Sequence, residues 1–210
     1  MAELCSRINV CSPPIRDLKA GSGIHAVTCP TGADYPSRME SLAVICLLDI
    51  AADDRAWIEE IRSRHDPQHS LVEAHFTLVF PLAGISRSAL ALHVEQIAKA
   101  TPAIVFRLNG AVAVRDPLAP RSHVFLTPDD GDEEIRRLHA ALYSGLLSSY
   151  LRTDIPYQPH VTVAALATKT AAKTLSDEIG DFEIFGWLRS LNLMSVAQGL
   201  ITQQRVFRLP

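Results

Sequence analysis

The chain has 210 residues, 48% hydrophobic and 20% charged, a balance that excludes bulk disorder. That length buries a sizeable core without disulfide or metal staples. Twenty Lys and Arg against 23 Asp and Glu give a formal charge of -3, which excludes a general nucleic-acid coat but leaves room for one local phosphate site.

Residues 1–38 carry four prolines and three glycines without sustained periodicity, and are expected to form a loosely ordered extension outside the fold. They lack the continuous apolar core of a secretory signal. Met39, just ahead of the first strand pattern, is a possible alternative start. The longest apolar run, Leu42 to Leu48, is far shorter than the ~20 residues that cross a bilayer. The four cysteines form no CxxC pair, so a reducing, cytoplasmic setting is expected, with no membrane partner.

Regular structure is expected over 39–210. A buried strand over Leu42–Asp49 leads into a helix over Ala51–Arg64, with Trp57, Ile58 and Ile61 on one face. His65-Asp66-Pro67 ends that helix. A strand over Ala74–Phe80 is expected to stop at Pro81, and a helix over Ser86–Ala100 carries Leu90, Val94, Ile97 and Ala98 at helical spacing. Ala103–Arg115 alternates like an extended pair interrupted at Gly110.

His123–Thr127 reads as a strand and Pro128–Gly131 as a turn. Acidic residues from Asp129 to Glu134 then suit a helix N-terminus, followed by a buried stripe of Ile135, Leu138, Leu142 and Leu146. Strand His160–Ala165, helix Lys169–Ile179 and two extended segments, Glu183–Val196 and Leu200–Leu209, complete the chain. Strands alternating with helices imply a sheet with helices packed on it.

Two histidines share a local setting. His75-Phe76-Thr77 and His160-Val161-Thr162 each place a histidine two residues before a threonine in an apolar strand, 85 residues apart. Alternate side chains of a strand share a face, so each histidine stands beside its threonine, about 7 Å away. Phe76, Leu78 and Phe80 then point to the core, as do Val161 and Val163. Bringing the two strands together makes a cleft with two imidazoles flanking two hydroxyls. Such a set suits phosphodiester chemistry: one imidazole removes a proton from the nucleophile, the other protonates the leaving oxygen, and hydroxyls hold the non-bridging oxygens.

These motifs resemble those of the 2H phosphoesterase superfamily, also called the 2′-5′ RNA ligase family. His75-Phe76-Thr77-Leu78 followed by Phe80-Pro81 resembles its first motif, and Tyr157-Gln158-Pro159-His160-Val161-Thr162-Val163 its second. The resemblance implies an α+β, bilobal fold of two similar β-α-β-α-β lobes whose sheets line a central cleft. The lobes would fall near 39–116 and 117–210, with segments able to exchange between them. It further implies His75 and His160 as the catalytic acid/base pair and Thr77 and Thr162 as the substrate-binding clamp. The expected activity is metal-independent cleavage of 2′,3′-cyclic phosphate or 2′-5′ bonds in nucleotides or RNA ends, by a monomer with no metal and no cofactor. Phe80-Pro81-Leu82 replaces the Phe-Leu-Gly of the RNA ligase branch, which points to a looser branch.

Two other readings stand beside this one. A binding module would keep the cleft without chemistry, which intact histidines and threonines in both motifs argue against. A metallohydrolase using His75 and His160 would need a third ligand, and no spacing supplies one. His65 and His69 are separated by Pro67 and read as a loop bordering the cleft, while His93, His123 and His139 read as structural. Tyr157 reads as a packing residue, and Arg115 and Arg121 are weak phosphate-binding candidates.

Overall fold

A computed structural model describes residues 40–210. The expected extension, the Met39 start and three of the four cysteines lie outside the described residues. The apolar run forms β1 (Ser41–Leu47), six of whose seven residues are buried. It is covered on both faces, which is why it reads as a continuous hydrophobic segment. Next come the two-residue β2 (Asp49–Ile50), helix α1 (Ala52–His65), β3 (His75–Ala83), α2 (Arg87–Ala100) and β4 (Ile104–Arg115). The second half runs β5 (Ser122–Asp130), α3 (Asp132–Leu142), a 3-10 helix (Gly145–Tyr150), β6 (Val161–Leu166), α4 (Lys169–Ile179), β7 (Ile184–Leu188), β8 (Ser190–Ala197) and β9 (Leu200–Arg208).

The strands form one sheet in the order β2-β7-β4-β5-β6-β3-β1-β8-β9, antiparallel throughout. Its two halves meet where Phe76 of β3 pairs with Val161 of β6. Helices α2 and α3 pack on the half containing β3, β8 and β9, and α1 and α4 on the half containing β4, β5 and β6. Each half therefore takes strands and helices from both ends of the chain. The main core joins Phe76, Leu78, Leu126 and Val161 of the strands to Ile58, Leu90, Leu138 and Ala172 of the helices. A smaller cluster of Ala43, Ile45 and Met194, flanked by Val72 and Ile201, covers the other face of β1 and β8. The architecture is the α+β arrangement of two similar parts that the family resemblance implies.

Local chemistry sets the element ends. Ser86 caps α2 by accepting from the Ala89 amide at 3.4 Å, and Thr168 caps α4 by accepting from Ala171 at 3.1 Å. Asp132, Glu133 and Glu134 occupy the first turn of α3, as the acidic run suggested.

Several local expectations are corrected. Pro81 does not end β3, because the β1–β3 register shifts between Leu42 and Val44, and an irregular ladder tolerates a residue with no amide proton. Gly110 does not divide two segments; it marks a bulge in the continuous β4, where a Cβ would lie 2.5 Å from Thr127 Oγ1. Pro128 to Asp130 belong to β5, and Gly131, at φ +80°, makes the bend into α3. The buried stripe ends at Leu142, while Leu146 on the 3-10 helix is exposed. Among the described residues, no helix is long and apolar enough to cross a membrane.

Candidate active site

The period-2 alternation of β3 places Phe76 in the core, fully buried, and leaves His75 and Thr77 on the opposite face. The same alternation buries Val161 and presents His160 and Thr162. Residues opposite each other in an antiparallel pair share a face. Extending the Phe76–Val161 register by one residue each way sets His75 across from Thr162 and Thr77 across from His160. The four side chains line one cleft of about 540 Å³, each half-buried. A local two-fold through Phe76 and Val161 exchanges the two motifs.

The pseudo-symmetry extends into the backbone. In β3 the register against β1 slips just after Thr77, and in β6 the register against β5 slips just after Thr162. Each bulge leaves two consecutive buried residues, Leu78-Val79 and Val163-Ala164. Phe80, expected to face the core, is turned by the first bulge into the cleft wall.

Both imidazoles are anchored alike. His75 donates its Nδ1 proton to the Glu73 carbonyl, and His160 donates its Nδ1 proton to the Gln158 carbonyl, each at 2.7 Å. A carbonyl oxygen only accepts, so in the neutral ring the proton sits on Nδ1 and Nε2 carries the lone pair. Burial holds both rings below the ordinary histidine range. For His160 it brings the pKa to about 4, with His123 and His75 adding to the effect. For His75 the Arg62 guanidinium acts in the same direction as burial, and carboxylates at Asp66 and Glu59 oppose it. A half-buried imidazole with a lowered pKa disfavours the charged form, the usual signature of desolvation.

Four of the five other described histidines separate into two groups. His93 donates to the Leu142 carbonyl at 2.8 Å and His139 to the Leu78 carbonyl at 2.9 Å, both structural bonds. Tyr157 packs face to face on His139, ring centroids 3.7 Å apart, and its hydroxyl donates to the Thr77 carbonyl at 3.0 Å. That bond ties the lead-in of the second motif to the first motif. His65 ends α1 and His69 lies 3.5 Å from Glu59. Neither lines the cleft, although the loop between them does, through Asp66, Pro67 and Gln68. Among the described residues no three His, Cys, Asp or Glu side chains converge as a metal site.

Sequence reasoning missed three features of the cleft. His123, read as structural, lines it and approaches the buried Asp116 carboxylate through Nε2 at 3.2 Å. Phe125, opposite Thr162, stacks on His160 with centroids 3.7 Å apart and planes 22° apart. The alternation His123-Val124-Phe125-Leu126 was the available signal, since it sends both rings to one face. Arg62 is 1% exposed and bound to Glu59 and Asp66, a role that helical periodicity does not announce. Arg115 and Arg121 both reach the cleft, with Arg121 Nε 4.0 Å from Asp116.

The fold recurs in solved structures. LigT of E. coli matches in its apo form and complexed with NADP+, with TM-scores of 0.52 and 0.53 at 21% identity, covering 82% of this chain and 97% and 99% of LigT. A Thermus thermophilus protein matches with a TM-score of 0.53 at 18% identity, over 80% of this chain and 97% of its own. Two curated proteins named as candidate phosphoesterases are also similar. The one from Bacillus licheniformis is 28% identical over 105 residues, and the one from Geobacillus kaustophilus 26% over 104. Each match covers 49% of this chain but only 59% and 57% of the relative, less than two thirds of its length. The sequence model of the 2′-5′ RNA ligase superfamily matches residues 50–199, a stretch that contains both His-x-Thr motifs, and the chain belongs to that superfamily.

Proposed function

We propose that this chain is a metal-independent phosphodiesterase acting on 2′,3′-cyclic phosphates or 2′-5′ bonds of nucleotides or RNA ends. The observation that carries the reading is the two-fold arrangement about Phe76 and Val161, which gives both imidazoles the same carbonyl anchor and faces both motifs into one cleft. For a cyclic phosphate, one Nε2 takes a proton from the attacking water. The new P–O bond forms, the bond to one ribose oxygen breaks, and the second imidazole gives its proton to that oxygen. Thr77 and Thr162 donate to the non-bridging oxygens, where charge is held through the transition state. LigT has been crystallised with phosphate, with 3′-AMP and with NADP+, ligands whose phosphates suit this cleft chemistry.

The test is a product assay on cyclic nucleotides, 2′-5′ dinucleotides and RNA ends. Ring-opened or cleaved product should form at a rate that survives EDTA. Activity lost to EDTA and restored by zinc would instead assign a metallohydrolase. Binding without turnover across the panel would leave a nucleotide-binding module.

The pH dependence follows from the lowered imidazole values. Catalysis needs one ring neutral and the other protonated, and kcat/KM reports the free protein. With both rings below 6.5, the kcat/KM optimum should fall on the acid side of neutrality. A bound phosphate anion beside the rings favours their protonated forms, so the kcat profile should lie at higher pH than that of kcat/KM. A kcat/KM profile that is flat from pH 5 to 9, or an optimum above pH 8, would exclude this pairing.

A further inference from the structure

The two-fold that exchanges the catalytic motifs fails in the walls that flank them. Ile45 of β1 pairs with Thr77, and its counterpart Phe125 of β5 pairs with Thr162. One step further out, Ala43 on β1 pairs with Met194, whereas the corresponding His123 on β5 pairs with Val114. Val196, paired with Ser41, corresponds to Asp116, whose amide donates to the Arg121 carbonyl at 3.1 Å. One wall is therefore aliphatic, its floor the nearly buried Ala43, Ile45, Met194 and Val196 and its open surface completed by the half-buried Val72 and Ile201 packed against them. Its mate carries an imidazole, a benzyl ring stacked on His160, a buried carboxylate and a nearby guanidinium.

The matched imidazoles and threonines present the same groups in either direction, so they cannot by themselves choose how an asymmetric phosphodiester lies. The walls can. An uncharged planar ring gains from covering apolar surface, and the polarisable thioether of Met194 suits an aromatic face. Sugar hydroxyls placed on that wall would lose hydrogen bonds to water without replacement, whereas the opposite wall holds the Arg121 guanidinium as a donor and the Asp116 carboxylate as an acceptor.

Resting on the phosphodiester reading of the same cleft, we infer that the walls orient the substrate. The nucleobase packs on the Ala43–Ile45–Met194–Val196 wall, and the sugar hydroxyls face Asp116 and Arg121 beside His123. The substrate class is thus a base-bearing phosphodiester recognised by apolar contact with its base rather than by base-edge hydrogen bonds.

Binding of a product-like ligand tests this independently of turnover. Native protein and Met194→Gln are titrated calorimetrically with adenosine 2′-monophosphate and with 1,4-anhydroribitol 2-phosphate, the same sugar phosphate without its base. Met194→Gln should weaken the nucleotide by about tenfold and the base-free ligand by less than twofold. Val196→Thr, nearly isosteric, should show the same selectivity and carries the comparison if Met194→Gln does not fold. Equal weakening of both ligands, no weakening of either, or a base-free ligand that binds native protein as tightly as the nucleotide overturns the inference. So does failure of native protein to bind either ligand at millimolar concentration. Base-selective binding without turnover of any ester overturns only the phosphodiesterase reading; turnover without base selectivity overturns only this one.

Discussion

His75→Ala and His160→Ala are each expected to lower turnover of a nucleoside 2′,3′-cyclic phosphate by about 10²–10⁴. The two rings face one cleft across the β3–β6 pair, and neither His-x-Thr motif has a second imidazole on its own strand face to substitute. The effect should appear in kcat, because proton transfer belongs to the transition state and the threonine hydroxyls remain to hold the phosphate. The double variant should lose little more than the worse single variant, since an acid and a base that act as a unit are not additive. Steady-state kinetics with a thermal melt on each variant make the comparison. Undiminished turnover in either single variant removes that histidine from its role.

What the sequence revealed about this site is tied to local periodicity. A histidine, a threonine and intervening large apolar residues in one strand determine which side chains share a face, whatever that strand pairs with. Helices α1, α2 and α4 were legible for a similar reason, their ends being set by Pro67 and by the caps Ser86 and Thr168. Features that depend on pairing were not legible. Nothing near Leu78 or Val163 announces the twin bulges, because a bulge is a relation between two strands. Pro81 and Gly110 looked like breaks for the same reason: each is tolerated by the particular ladder around it. The exchange of β4 and β8 between sheet halves is likewise a long-range choice, and with it went the contrast between the aliphatic and polar walls. His123 looked like any histidine in a strand until Asp116 was brought beside it.

Arg62 shows how the fold and the site meet, and its removal should have the largest effect on stability. Its Nε donates to Asp66 at 2.9 Å, Nη1 to both Glu59 oxygens at 2.8 and 2.9 Å, and Nη2 to the Val72 carbonyl at 2.8 Å. Glu59 in turn accepts from the Ala74 amide at 2.8 Å, one residue before His75, and Asp66 accepts from the Gln68 amide at 2.9 Å. The network pins the segment from Asp66 to Ala74, which borders the cleft and delivers the first His-x-Thr motif. Arg62→Ala strands a carboxylate at Asp66 whose side chain is 5% exposed, and leaves the Val72 carbonyl without its donor. Breaking a buried pair from one side costs about 3–5 kcal/mol. For a domain of this size that is a fall in Tm of roughly 6–20 °C. Arg62→Met combined with Asp66→Leu should cost clearly less than Arg62→Ala alone, because the carboxylate that is 5% exposed goes with its partner, and Glu59, 24% exposed, keeps water and the Ala74 amide. Losing the guanidinium also removes a positive charge that disfavours protonation of His75, so its pKa should rise in the single variant. Thermal melts of the three proteins and an NMR titration of His75 read both effects. An Arg62→Ala protein within 1 °C of native, with an unmoved His75 titration, would mean that neither the buried pair nor its field supports the cleft.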